Sequence, residues 1–420
     1  MVTKTSQPIA IGQPIRHECR TLQFNSRMKY YIIAGEASGD LHGSNLIKEI
    51  RKLNPDASIR CWGGDLMQAA GATLVKHYRD LAFMGFVEVV RHLGTILRNI
   101  SFCKKDILAF NPDVVIFIDY PGFNIPIAEF AKNKGFKTVY YISPQVWAWK
   151  EGRVKTLRRV IDKMLVILPF EKDFYHKWNY EVEYVGHPLV EVVEPFRKWD
   201  IGSTILEVRS GKYDAESGIS LPTSKISIPT STMPLIALLP GSRKQEISAK
   251  LPVMLEVTRH FPGYQFVVAQ APSIDDAFIQ SFTRAYPQVD IRKGATYPLL
   301  RESSAALVTS GTATLETALI GVPEVVCYKG SPISYAIAKR VIRVKYISLV
   351  NLIMDREVVK ELIQHELTVD NLRKELIKIL DDPDTQCRLQ HDYRALWEML
   401  NAGGHASSKA ASSIIRMLRG

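Results

Sequence analysis

The chain has 420 residues, more than one hydrophobic core usually serves, so two domains are expected. Hydrophobic residues make up 46% of it, yet no apolar run is long enough to span a membrane. The formal net charge of +11 favours an acidic partner, but the basic residues are scattered and no nucleic-acid-binding signature is present, which argues against nucleic acid.

The N-terminal region contains the first α/β unit. Residues 1–27 lack the apolar core of a signal peptide and are predicted to be a disordered leader, or to lie ahead of a true start at Met28. Residues 29–34 are predicted as a buried strand and 41–53 as a helix. The turn between them does not match the dinucleotide fingerprint, but its small residues favour close approach of a substrate. The residues predicted to bind substrate there are Gly35, Glu36, Ser38 and Gly39.

Residues 81–90 are unusually apolar and include Met84 and Phe86. The basic residues Arg91, His92, Arg98, Lys104 and Lys105 follow them. An apolar face beside cations is typical of a segment seated on anionic lipid. A buried core helix has the same pattern, so both interpretations stay open.

The apolar run at 114–118 is predicted to be a central parallel strand. It places Asp119 at the carboxyl end of the strand, where side chains of such a sheet face the ligand. A carboxylate there is well placed to act as a general base, although it can equally cap the next helix.

Two later turns of this unit carry further candidates. Trp147 follows a predicted strand at 138–142 and suits sugar stacking or a wall of the cleft. His187 follows another short strand. It is predicted either to contact phosphate or the donor sugar, or to make a structural hydrogen bond.

Between about 195 and 234 the apolar periodicity fades and Ser, Thr, Gly, Pro and Lys dominate, which indicates a linker with a flexible insertion. The predicted divisions are a leader at 1–27, an N-terminal domain at 28–197, a linker at 198–233, a C-terminal domain at 234–380 and terminal helices at 381–420. We expect those last helices to cross back onto the N-terminal domain or to exchange between subunits of a homodimer.

The second α/β unit begins with a predicted strand at 235–239 and a turn containing Gly241, Ser242 and Arg243. A guanidinium beside a glycine–serine turn is a natural clamp for diphosphate, because it pairs with phosphate in two-point geometry. The alternative is an ordinary surface arginine.

A second strand–turn–helix pattern spans residues 306–319, with Ser310, Gly311 and Thr312 at the turn. Glycine lets a ligand approach the backbone, and the start of a helix attracts an anion. Glu316 lies one helical turn further on, within reach of a ribose diol. An ordinary turn with a surface glutamate is the competing interpretation. Residues 334–341 are predicted as a helix, 346–352 as a short strand or loop carrying Asn351, and the tail as helices broken near 381–383 and 403–404.

Two successive α/β units with a phosphate site in the second describe an α/β protein of the GT-B type, with two Rossmann-like doubly wound domains facing a cleft and helices at the C terminus. Nine motifs follow one another between Met28 and about Glu366: Gly35–Asp40, Met84–Val89, Ile118–Asn124, Ser143–Trp149, Leu168–Glu171, Gly186–Pro188, Leu239–Arg243, Ser310–Glu316 and Ser348–Leu352. In this order they resemble the lipid-A-disaccharide synthase family.

The resemblance implies an inverting hexosyltransferase that joins UDP-2,3-diacylglucosamine to 2,3-diacylglucosamine 1-phosphate and releases UDP. It implies Asp119 as base, Arg243 and the helix start at 310–312 on the diphosphate, Glu316 on the ribose and Asn351 near the donor. It also implies substrate contacts from Asn124, Trp147, His187, Met84 and Phe86. No metal or separate cofactor is expected.

Acylated, phosphorylated substrates imply an enzyme held peripherally on the cytoplasmic face of the inner membrane. Five scattered cysteines without a CxxC pair agree with a reducing cytoplasm.

Two other functions stay open. One is another UDP-N-acetylglucosamine-using GT-B enzyme, such as a 2-epimerase or a cell-wall N-acetylglucosaminyltransferase. The other is a non-catalytic protein that binds a UDP-sugar or a membrane.

The chain also departs from the family by having Gly122 where a second aspartate is frequent.

Overall fold

The structure, a computed structural model, describes residues 27–80, 93–198, 233–330, 345–402 and 404–420. Within these ranges the strands form two parallel sheets of seven and six strands. The strands of the first sheet are β1 (Lys29–Ala34), β2 (Ser58–Gly63), β3 (Thr73–His77), β4 (Val114–Ile118), β5 (Lys137–Tyr141), β6 (Lys163–Val166) and β7 (Glu183–Tyr184). Those of the second are β8 (Leu235–Leu239), β9 (Gln265–Gln270), β10 (Val289–Lys293), β11 (Ser303–Thr309), β12 (Glu324–Tyr328) and β13 (Lys360–Ile363).

Both sheets are doubly wound. Their strand orders are β3-β2-β1-β4-β5-β6-β7 and β10-β9-β8-β11-β12-β13. The chain therefore reverses direction across each sheet between β1 and β4, and again between β8 and β11. Open parallel sheets bind ligands at the carboxyl ends of the strands beside such a reversal. The predicted fold class is confirmed.

Helices cover the sheets and form the C-terminal tail. They are α1 (Ala37–Leu53), α2 (Asp65–Ala69), α3 (Leu93–Phe110), α4 (Pro121–Asn133), α5 (Val146–Trp149), α6 (Arg153–Val160), α7 (Glu171–His176), α8 (Pro188–Val193), α9 (Lys244–Thr258), α10 (Asp276–Thr283), α11 (Thr296–Glu302), α12 (Thr312–Ile320), α13 (Leu349–Met354), α14 (Val369–Asp381), α15 (Pro383–Asn401) and α16 (Ala406–Arg419). None of those in the described ranges combines the length and apolarity that crossing a membrane requires.

The sequence interpretation of residues 346–352 is wrong in one respect, since Leu349–Met354 is a helix. The Ser348 hydroxyl caps it by accepting a hydrogen bond from the backbone N–H of Asn351 at 3.2 Å. The break predicted in the tail is confirmed at Asp382, which caps α15 ahead of Pro383. The helix predicted at 334–341 lies outside the described residues.

Among the described residues, the contacts that join the halves of the chain include the packing of α16 and of α8. The last helix, α16, packs on α1 and buries Ala410, Ala411 and Ile414 in the core of the first sheet. In the other contact, α8 packs on α12, and its apolar side chains share one hydrophobic cluster with the second sheet. Leu168, which follows β6, belongs to that same cluster. The carboxyl edge of the first sheet therefore adjoins the second half.

Candidate active site

Asp119 lies in a turn of unusual backbone conformation at the end of β4. Asp119 and Tyr120 have φ angles of 44° and 50°, a left-handed region that residues other than glycine rarely adopt. Two side chains hold the turn by the Asp119 carbonyl oxygen, with the Tyr140 hydroxyl donating at 2.6 Å and the Asn124 amide at 2.7 Å. The backbone of Asp119 is thus fixed by buried groups, while its side chain remains exposed.

The surroundings of Asp119 change its acidity. Desolvation by the protein around it and the nearby carboxylate of Glu36 raise the pKa of Asp119 to about 6, against a hydrogen bond from the Tyr120 backbone that lowers it. A carboxyl group whose pKa lies just below neutrality is suited to general-base work.

The turn after β1 supplies the neighbour of Asp119. Ala34 and Ile118 are register partners, so Glu36 and Asp119 leave adjacent strand ends together. Glu36 is half-buried and Ser38 is exposed. The two glycines, in contrast, serve packing: a Cβ on Gly35 would lie 2.3 Å from the ring of Tyr120, and one on Gly39 would lie 3.0 Å from Cβ of Ala34. Of the four predicted binding residues, Glu36 and Ser38 therefore remain able to reach a ligand.

The second sheet presents two turns side by side. Gly241, after β8, has a φ of 112°, which glycine adopts easily, and its Cβ position lies 3.6 Å from the methyl group of Thr309 at the end of β11. Ser242 and Arg243 follow Gly241 and are exposed. The Arg243 guanidinium donates to Glu246 at 3.1 Å.

The neighbouring turn opens α12. Gly311 and Thr312 are exposed, and no described atom lies within 4 Å of the place where a Cβ on Gly311 would stand. The Ser310 hydroxyl, by contrast, donates to the Ile347 carbonyl at 2.9 Å and so fixes the turn. An open glycine face at the start of a nine-residue helix can accept an anion on its unpaired N–H groups.

Glu316 lies one turn into α12 and is half-buried. Burial raises its pKa, although the Tyr297 hydroxyl donates to its carboxylate at 3.0 Å. Tyr297 was not among the residues predicted from the sequence. A carboxylate held in one orientation by a tyrosine is suited to accept hydrogen bonds from a diol.

Asn351 differs from its predicted role. Its side chain is fully buried, and its amide donates to the Val359 carbonyl and to Glu361, both at 2.9 Å. Its carbonyl oxygen accepts the backbone N–H groups of Val358 at 2.7 Å and Val359 at 2.9 Å. Because these bonds engage both ends of the amide, Asn351 acts on the fold and not directly on a donor.

The same network reaches the candidate phosphate turn through Glu361, which sequence analysis missed. Its carboxylate accepts the backbone N–H groups of Ile347 and Ser348 at 2.9 to 3.2 Å. The Ile347 carbonyl in turn accepts from Ser310. The sequence offered little signal for Glu361, because the strand Lys360–Ile363 also carries a lysine and its pattern does not show which charged residue is buried.

Asn124 and His187 are also structural. Asn124 is fully buried and positions the Asp119 turn, so it supports the candidate base without reaching substrate. His187 is buried, and its ring nitrogen accepts the Leu189 N–H at 3.2 Å as the cap of α8. Burial and the nearby His42 lower the pKa of His187 to about 3, which keeps it neutral.

Trp147 is half-buried and lies edge-on to Phe170, with ring centroids 5.1 Å apart. Both rings pack against the hydrophobic cluster that contains the second sheet. This packing makes Trp147 part of a wall between the halves. Met84, Phe86 and the rest of the apolar stretch at 81–90 lie outside the described residues.

Solved structures of other proteins share this architecture. UDP-GlcNAc 2-epimerase from Neisseria meningitidis, bound to UDP-GlcNAc, is 13% identical with a TM-score of 0.60, and the alignment covers 93% of this chain and 100% of that one. The glycotransferase of kitacinnamycin is 14% identical with a TM-score of 0.60, covering 94% of this chain and 100% of that one. At these identities the likeness shows the fold alone, which is that of GT-B enzymes.

Sequence relatives are more specific. The lipid-A-disaccharide synthase of Geobacter metallireducens is 39% identical over 392 residues, which cover 92% of this chain and 96% of that protein. The enzyme of the same name from Geobacter sulfurreducens is 37% identical over 399 residues, covering 94% and 98%. The family model described as Lipid-A-disaccharide synthetase matches residues 30–415. Because that match runs through both sheets and into the last helix, the chain belongs to the lipid-A-disaccharide synthase family of glycosyltransferases.

Proposed function

We propose that this chain transfers the sugar of UDP-2,3-diacylglucosamine to the 6-hydroxyl of 2,3-diacylglucosamine 1-phosphate. The products are UDP and a β-1,6-linked disaccharide 1-phosphate on the route to lipid A. The observation that carries the proposal is the exposed Asp119, held at a strand reversal in a chain of this family.

The proposed reaction is one in-line displacement with inversion. The acceptor 6-oxygen forms a bond to the anomeric carbon as the bond from that carbon to the UDP oxygen breaks. Asp119 accepts the hydroxyl proton during the attack, which a group with a pKa of about 6 can do at neutral pH. Tyr140 and Asn124 position Asp119 through its backbone carbonyl and touch no reacting atom.

Negative charge grows on the leaving diphosphate, and the second sheet offers groups that stabilise it. Arg243 supplies a guanidinium, and the exposed turn at Gly311 and Thr312 supplies backbone N–H groups at the positive end of α12. Glu316, oriented by Tyr297, is proposed to accept hydrogen bonds from the ribose hydroxyls.

A surface on α3 supports the proposed location at the cytoplasmic face of the inner membrane. Leu97, Phe102 and Leu108 are 57%, 48% and 46% exposed, with Arg98 and Lys105 exposed among them. Leu97, Lys105 and Leu108 recur at helical spacing on one side of α3. Apolar side chains interleaved with cations fit the headgroup region of an anionic bilayer.

The direct test incubates the purified chain with both acylated substrates and measures the disaccharide 1-phosphate by mass and UDP by coupled assay. We expect one UDP for each disaccharide. Conversion of UDP-N-acetylglucosamine to its 2-epimer at a comparable rate would instead favour the epimerase alternative. UDP-sugar binding without any product would favour the non-catalytic one.

A further inference from the structure

Glu246 lies in the first turn of α9, where it pairs with Arg243. The Arg243 guanidinium donates to one of its carboxylate oxygens at 3.1 Å. Lys250 lies one helical turn further on and is only 2% exposed. Burial lowers the pKa of Lys250, while Glu246 and Cys327 act in the opposite direction. Both an arginine and a buried lysine therefore interact favourably with the negative charge of Glu246.

The second carboxylate oxygen of Glu246 occupies a particular place. It lies 2.7 Å from the position that a Cβ on Gly241 would take. The glycine face that leaves room for a ligand at this turn is therefore filled by a side chain of the protein. That face adjoins the end of β11, where the candidate diphosphate turn begins.

A buried polar side chain, that of Thr309, lies beside the Gly241 turn. Thr309 is 5% exposed, and its hydroxyl has no hydrogen-bond partner among the described residues. Its register partner is Cys327, which interacts electrostatically with the buried Lys250. The Gly241 turn, on which the Glu246 carboxylate lies, thus adjoins a buried residue with an unpaired hydroxyl, a setting that suits an anion.

We propose that Glu246 stands in for the donor diphosphate in the ligand-free enzyme and is displaced when the donor binds. This inference rests on the proposed function, since it assumes that the diphosphate binds at the Gly241 and Gly311 turns. Two anions cannot share one small space without strong repulsion, so Arg243 must exchange Glu246 for the diphosphate. Glu246 therefore weakens the binding of donor and of UDP, and it speeds the release of UDP after transfer.

The test measures UDP binding by calorimetry and UDP product inhibition. We expect Glu246→Gln to bind UDP about threefold to tenfold more tightly than the wild type, because it removes a partly solvated competing charge. The inhibition constant for UDP should fall by the same factor. Glu246→Asp keeps a negative charge in the first turn of α9 but is one methylene too short to lie on Gly241, so it should tighten UDP binding by a smaller factor.

Asp275→Asn is the matched control. It removes a carboxylate that pairs with Lys244 at 2.7 Å, next to Arg243 in the chain, without touching Gly241. UDP binding to this variant should stay within about twofold of the wild type. Unchanged or weaker UDP binding by Glu246→Gln, or tightening by Asp275→Asn as large as by Glu246→Gln, would overturn the inference alone. A wild-type chain that binds no UDP would overturn the proposed function and this inference with it.

Discussion

Replacing Asp119 with asparagine tests the proposed base, because the amide keeps the size of the side chain and cannot accept the proton. General-base catalysis is typically worth about 100-fold to 10,000-fold, so kcat should fall within that range while UDP binding remains. Initial rates are measured by UDP release with both acylated substrates. UDP affinity, measured separately, shows that the second sheet is intact.

The pH profile gives the prediction its magnitude. A base works only when ionised, and the pKa of Asp119 is raised to about 6 by desolvation and then by Glu36. Wild-type kcat/KM should therefore rise through pH 6 and level off, with about one tenth of the plateau value at pH 5. Glu36→Gln removes the second cause, so it should move this rise to lower pH.

The same pKa makes a prediction about stability. Since the folded-state pKa exceeds the ordinary value of 3.8, the folded chain holds this proton more tightly than the unfolded chain. Ionisation of Asp119 therefore destabilises the fold, increasingly as the pH rises from about 3.8 to about 6 and by a constant amount above that. Asp119→Asn should be at least as stable as the wild type at pH 8 by chemical denaturation.

Glu129→Gln is the control, since Glu129 pairs with Arg159 at 2.8 Å on the outer surface of the same unit. Its rate and pH profile should match those of the wild type. An Asp119→Asn enzyme that keeps wild-type turnover, or one that keeps the same rise through pH 6, would contradict the assignment of Asp119 as the base.

Three further predictions concern residues around the site. Gly35→Ala should cost about 1–3 kcal/mol in the free energy of unfolding and lower kcat, because the new Cβ meets the Tyr120 ring beside Asp119; denaturation and initial rates check this. Asn351→Ala should cost about 2–4 kcal/mol by denaturant titration, since it leaves the N–H groups of 358 and 359 unpaired, and a loss below about 1 kcal/mol would contradict the structural role. Gly122→Asp should raise stability by about 0.5–1 kcal/mol in thermal melts, because an acidic residue favours the first turn of a helix. No described atom lies within 4 Å of the new Cβ, so a fall in melting temperature would show that this position is constrained.

The sequence predicted the inner strands of both sheets closely. The runs at 29–34, 114–118 and 235–239 match β1, β4 and β8 residue for residue. These strands are buried on both faces, so each is an uninterrupted apolar run that ends at a turn. The strands β2 and β3 were not predicted, because polar residues interrupt their apolar pattern at Arg60, Lys76 and His77.

The candidate site could be predicted from the sequence only in part. Turn chemistry is local, so the Gly241 and Gly311 turns and the carboxylate at the end of β4 could be proposed as candidates from neighbouring residues alone. The role of each polar side chain, in contrast, depends on contacts with residues that are distant in the sequence. Asn351 and Asn124 carry the same amide that a substrate contact needs, yet buried backbone groups use it.

By itself, then, the amino-acid sequence determined the two doubly wound sheets and the chemistry of the turns at their reversals, since periodicity and glycine placement act over a few residues. The tertiary structure decided which polar groups remain open to a ligand. Glu36 and Asp119 are 83 positions apart and meet only because β1 and β4 pair, and Glu246 lies over Gly241 only once α9 has formed. Whether a polar side chain is buried and hydrogen-bonded depends on such contacts between distant residues, and the packing of the whole chain determines those contacts.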